Sequence, residues 1–179
     1  MWQFRNLILF LYIAGVILSR FLLTKSVSFA DMWLALGLIL GWFLPMVDHL
    51  IYCVTYPHEL TVTRVNEMVK AKNFWGVWEL LRSTAGERNK LVLHGVVVQS
   101  VFWVFSLWVV TSSRNGVGVG LVLGALLNLL VWDWSNLTRG SWANIFWQIK
   151  RTILLREAKW TFVIFSLIFG YLTFAAFWR

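Results

Sequence analysis

Charge is scarce in this chain, and acidic charge most of all. Only 13% of its 179 residues are charged and eight of those are acidic, where a soluble domain carries about 25% charged residues. A water-facing surface around a core of this size is thereby excluded. Cys53 is the single cysteine, which rules out an intramolecular disulfide and a cysteine-based zinc site and leaves it a small apolar packing residue. Pro45 and Pro57 are the only prolines, so most of the chain carries no helix breaker. A P-loop, a nucleophile elbow and a dinucleotide-binding glycine pattern are all missing, which argues against nucleotide chemistry.

Apolar residues are plentiful instead. They make up 59% of the chain, the mean hydropathy is +0.70, and they come in runs near the roughly 20 residues that cross a hydrocarbon core. The pattern predicts an all-α fold, a polytopic membrane bundle of about five spans forming a single domain over 1–179. The spans are expected near 4–23, 32–56, 91–111, 117–134 and 160–178. The first run starts almost at Met1 and has no small-residue cleavage site after it, so it reads as a retained anchor span. Pro45 should bend the second span. In the fourth, Gly120 and Gly124 form a GxxxG pair that would let another helix approach closely.

Two connections are long and polar. In segment 57–90 the spacing of Val62, Val65, Met68 and Val69, then of Phe74, Trp78 and Leu81, predicts two short amphipathic helices broken near Asn73. Segment 136–159 mixes basic residues with Trp142, Phe146, Trp147, Ile149, Ile153 and Leu154, as expected of a helix lying at the headgroup level. Trp2, Trp33, Trp134, Trp160 and Trp178, at span ends, fit aromatic belts.

The formal charge is +8, yet the basic residues sit between the apolar runs, which points to membrane orientation and away from nucleic acid. Arg5, the cations of segment 57–90 and those of segment 136–159 fall on one face and account for twelve of the sixteen Lys and Arg. Only Arg20, Lys25, Arg114 and Arg179 fall on the other. This bias puts the N-terminus in the cytoplasm of a multi-pass protein, with the bacterial inner membrane as the expected setting. Membrane lipids are the expected partners, and the two basic connections could hold anionic headgroups.

Ionisable groups inside a span cost roughly 2.5 to 3.5 kcal/mol near its centre, so each needs a reason. Asp48 and His49 lie in the second span, His94 in the first turn of the third and Asp133 in the last turn of the fourth. All four fall in the cytoplasmic half, with Asn128, Gln99 and Ser100 nearby. Carboxylates and imidazoles drawn from several helices suit a divalent metal such as Zn, Mn or Fe, and a metal with an open position makes hydroxide from bound water. His58 and Glu59 read better as helix-start signals after Pro57. Glu87 is placed either to orient His94 or to pair with Arg88 or Lys90.

Segment Gly41-Trp42-Phe43-Leu44-Pro45-Met46-Val47-Asp48-His49 resembles the G-x-L-L-P-D-x-D-H signature of the YdjM-type membrane-bound metal-dependent hydrolases. Asn89-Lys90-Leu91-Val92-Leu93-His94-Gly95 is similar to that family's H-R-G-x-T-H-S element, and the stretch from Gly124 to Asp133 to its closing G-x-L-S-H-x-x-x-D. The resemblance implies a small multi-span protein with metal ligands on the cytoplasmic side, here Asp48, His49, His94 and Asp133. Met46, Asn89 and Asn128 stand where the patterns have Asp, His and His, and Asp133 falls one position late.

Two readings follow. The first is a membrane-embedded metal-dependent hydrolase with a cytoplasm-facing site and an unidentified substrate, for which a lipid-linked or phosphorylated molecule is one option, with His94 and Asp133 catalytic. The alternative is a non-catalytic scaffold or partner-binding subunit with a degenerate metal site, in which the same groups form interhelical hydrogen bonds. A transporter fits less well, because the non-cytoplasmic half has almost no ionisable residue to continue a path.

Overall fold

The computed structural model describes residues 2–25, 28–84 and 91–177. Glu87, Arg88, Asn89, Lys90, Trp178 and Arg179 lie outside these. The described chain is all-α: α1 (Trp2–Thr24), α2 (Phe29–Phe43), α3 (Val47–Thr55), α4 (Leu60–Lys70), α5 (Phe74–Ser83), α6 (Val96–Ser112), α7 (Gly116–Thr138) and α8 (Leu155–Phe177). Four stretches are long and apolar enough to cross a membrane: Arg5–Leu22, Asp31–Thr55, Gly116–Thr138 and Leu155–Ala176. The chain is thus an integral membrane protein built as a helical bundle. Helix α6 is also apolar but has 17 residues, about 26 Å at 1.5 Å per residue, a little short of a hydrocarbon core of about 30 Å.

The second stretch is interrupted where Pro45 removes a backbone donor. Leu44–Met46 tighten into a 3-10 turn, and α3 restarts at Val47. This break lets Asp48 begin a new helix inside an otherwise apolar segment.

Helix α7 is the axis of the bundle, buried from Val122 to Leu130. Its partner is α2, and the two run parallel in close backbone contact. Gly37 and Gly41 of α2 face Gly120 and Leu121 of α7, while Gly120 and Gly124 face Leu34 and Leu38 in return. A Cβ at any of the four glycines would come closer than 3.0 Å to a backbone atom of the opposite helix. The Gly120/Gly124 pair therefore meets a second glycine pair with the same spacing on α2. Around this seam Leu38, Trp103, Val110, Leu126 and Leu172 are buried, and Trp103 stacks on Phe165 with ring centroids 5.1 Å apart.

Arg20 and Asp31 join α1 to α2 through an ion pair of 3.0 Å, and the Ser28 N–H donates to Asp31 at 2.8 Å. Helices α4 and α5 bury Val62, Val65 and Leu81. The chain breaks between them at Lys72, whose φ of 55° is left-handed, and the Asn73 side chain accepts from the Gly76 N–H at 2.9 Å to start α5.

The fourth connection differs from the expected surface helix. Arg139–Leu154 form turns around a short 3-10 segment, Trp142–Asn144, with Gly140 at φ 75° ending α7. Ile145 and Phe146 are buried in the main core, so the aromatic residues of this segment plug the end of the bundle. Helix formation loses here because the backbone is used elsewhere: the Ile145 carbonyl accepts from Val96 N–H at 2.8 Å. The Gln148 side chain accepts from Val97 N–H at 3.1 Å, and Trp147 Nε1 donates to the Leu91 carbonyl at 2.9 Å. The connection thus caps α6, satisfying donors that a helix start leaves unpaired.

Candidate functional site

The third apolar run, expected to be helical from residue 91, begins its helix only at Val96. The cause is Asp48. Its fully buried carboxylate accepts from the backbone N–H groups of Val92 at 3.0 Å, Leu93 at 2.8 Å and His94 at 3.2 Å. His94 Nδ1 adds a fourth bond to Asp48 Oδ2 at 2.8 Å. Amides committed to a carboxylate on α3 are turned around it and do not enter a helical ladder. As Asp48 is acceptor-only when ionised, the geometry fixes the His94 tautomer with the proton on Nδ1.

Two further polar links extend inward. Gln99 Nε2, one turn into α6, donates to the His94 carbonyl at 3.0 Å and to Asp133 Oδ1 on α7, also at 3.0 Å. The His94 ring packs edge-on against Trp132, with centroids 4.7 Å apart. Asp48, His94, Gln99 and Asp133 are all buried, so α3, the start of α6 and α7 meet through one polar chain in an apolar interior.

The structure therefore brings Asp48 and His94 into direct contact, whereas the carboxylate of Asp133 is tied to them through Gln99. The His49 ring lies 6.2 Å from that of His94, centroid to centroid, and lines an apolar cavity of about 290 Å3 between α3 and α5. His49 thus faces a different space from Asp48. Glu59 accepts from the Tyr52 hydroxyl at 2.6 Å and stands at the N-cap position of α4, joining α3 to it.

Asn128 takes a different role from the histidine that the resemblance puts there. Its Nδ2 donates to the Trp42 carbonyl beside the Pro45 break, and its Oδ1 accepts from Arg5 at 2.7 Å. Arg5 also stands over the Trp42 ring, 5.9 Å from its centroid. Asn128 so fastens α1 and α2 to α7. Asn128→Leu keeps the branched shape, adds some bulk and loses both bonds; about 1 kcal/mol of stability in detergent is expected to go with the bonds, read from SDS-induced unfolding.

Of the four bonds to Asp48, three fall on Oδ2 and one, from Val92 N–H, on Oδ1. Among the described residues, no three His, Cys, Asp or Glu side chains are grouped to hold an ion. What the arrangement does chemically is satisfy backbone donors and link helices. Compared with family profiles, with curated proteins and with solved structures, the chain has no detectable match.

Three contributors escaped the sequence reading. Arg5 counts only toward orientation in the sequence, because an arginine near the end of a span ordinarily reaches for the interface; its bond to Asn128 depends on the tertiary fold. Gly37 and Gly41 carried the same four-residue spacing as the pair on α7. Gln148 and Trp147 gave no signal, since capping of a helix 50 residues earlier depends on the tertiary fold.

Proposed function

We propose that this chain is a non-catalytic component of the membrane, a helical scaffold whose acidic and imidazole groups hold the bundle together. The observation that carries this reading is the hydrogen bonding of Asp48: three backbone N–H groups and the His94 ring converge on it. In lipid, an unpaired backbone donor has no water to turn to, and a buried carboxylate that gathers three of them fastens the turn leading into α6 to α3. The N-terminus and both basic connections lie on the cytoplasmic side in this proposal, supported by their share of the Lys and Arg residues. The setting is the bacterial inner membrane, with α4 and α5 holding exposed Leu60, Phe74 and Trp75 at the headgroup level.

One observation favours a second reading, the metal-dependent hydrolase of the resemblance. His94 Nδ1 bonds a carboxylate, as the second nitrogen of a metal-ligating histidine commonly does, and His49 is its near neighbour. Metal analysis of the purified protein separates the two. The scaffold reading expects no stoichiometric Zn, Mn or Fe and a thermal stability in detergent that EDTA leaves unchanged. A stoichiometric metal that disappears in an Asp48→Ala/His94→Ala double variant would instead support the hydrolase reading.

A further inference from the structure

The cavity of about 290 Å3 beside His49 takes no part in the Asp48 hydrogen bonds. Two local patterns build it. The 3-10 turn at Pro45 ends α2 and starts α3, and there Met46 and His49, three residues apart, join Phe43 on one wall. On α5, Phe74, Trp78 and Leu81 recur at intervals of four and three, so one face of that helix forms the other wall. An apolar protein cavity of about 150 Å3 takes a benzene, and this one is roughly twice as large. Among the described residues that line it there is no Asp, Glu, Lys or Arg, so a charged head group finds no partner. The polar side-chain atoms of the lining belong to the His49 imidazole and the Trp78 indole. Phe43, Val47, Leu50, Phe74 and Trp78 line the cavity and are also exposed. The way in therefore runs over apolar surface, as suits a molecule dissolved in the bilayer.

Three aromatic side chains and a polarizable thioether favour a flat ring over a chain of methylenes. An imidazole N–H calls for an acceptor on that ring, and an uncharged lining calls for a neutral molecule. We propose that the cavity binds the head of a membrane-dissolved quinone: the ring lies among Phe43, Phe74 and Trp78, and His49 donates a hydrogen bond to one carbonyl oxygen. Binding alone is assigned here, with no transfer of electrons to or from the chain. The inference goes beyond the scaffold reading and does not rest on it, since a metal held by His49 is found separately by metal analysis.

The test is photolabelling of the full chain in phosphatidylcholine nanodiscs with an azido-ubiquinone analogue, the labelled peptides being read by mass spectrometry. Wild type is expected to take the label in 43–50 and 74–81, and excess decylubiquinone is expected to suppress it where the same amount of 1-decanol does not. His49→Phe keeps a ring and loses the hydrogen bond, so the affinity is expected to fall about tenfold. Val77→Trp fills the cavity and should lower it at least as far. Val101→Trp, on an exposed face of α6, should change nothing. The competition in wild type decides the matter even if a variant fails to fold. Equal suppression by decanol would overturn the proposal by showing a cleft for acyl chains. Label spread evenly along the spans would overturn it too, as would wild-type affinity in both His49→Phe and Val77→Trp.

Discussion

Asp48→Ala is expected to destabilise the protein in detergent by about 3 kcal/mol, measured by SDS-induced unfolding. The substitution removes four hydrogen bonds at once and strands three backbone donors and an imidazole in an interior where Asp48 is fully buried. Each unsatisfied buried donor costs about 1 to 3 kcal/mol, and local relaxation with entry of water recovers part of the sum. Asp48→Asn should lose less. Its remaining carbonyl oxygen still accepts, but its amide nitrogen meets donors where an acceptor stood. The loss for Asp48→Ala should be the same with and without EDTA. A loss seen only in metal-containing preparations would transfer the role of Asp48 to an ion.

Bulk at the α2–α7 seam should be the other large effect. Gly41→Ala and Gly124→Ala each place a methyl group against opposing backbone, Leu121 in one case and Leu38 in the other. Backbone cannot rotate out of the way as a side chain does, so about 2 to 3 kcal/mol is expected from each, near the upper end for overpacking. Gly41→Leu should prevent the pair from closing and leave aggregated protein on size-exclusion chromatography. Gly15→Ala and Gly170→Ala are the controls: nothing lies within 4 Å of a Cβ at either position, and both sit in helices. Removing a helical glycine there should be neutral or gain up to about 1 kcal/mol. Equal sensitivity at all four positions would show that the seam is not tightly packed.

How far the sequence reached depended on whether the deciding force was local. Apolar runs and their breaks announce spanning helices because lipid forces each segment to satisfy its own backbone, and the all-α bundle was readable on that ground. The amphipathic spacing in 60–83 and the break at Asn73 were legible for a similar reason, since a turn needs a residue such as Asn73 to accept a backbone N–H. The rarity of ionisable residues in spans pointed to Asp48, His94 and Asp133, and all three are buried along one polar chain. Their roles were not legible. Nothing in the spacing reveals that Val92, Leu93 and His94 turn their amides to Asp48, 44 to 46 residues away. Segment 139–154 misled for the converse reason: its composition matches an interfacial helix, but Ile145 and Gln148 serve the start of α6 instead.

Amide hydrogen exchange at Val92, Leu93 and His94, followed by NMR in detergent micelles, tests the role of Asp48 most directly. These amides lie outside any helix, so strong protection must come from the carboxylate. Wild type should protect all three, and Asp48→Ala should speed their exchange by at least about a hundredfold while the middle of α7 stays protected. Rapid exchange in wild type, or protection that survives Asp48→Ala, would contradict the account.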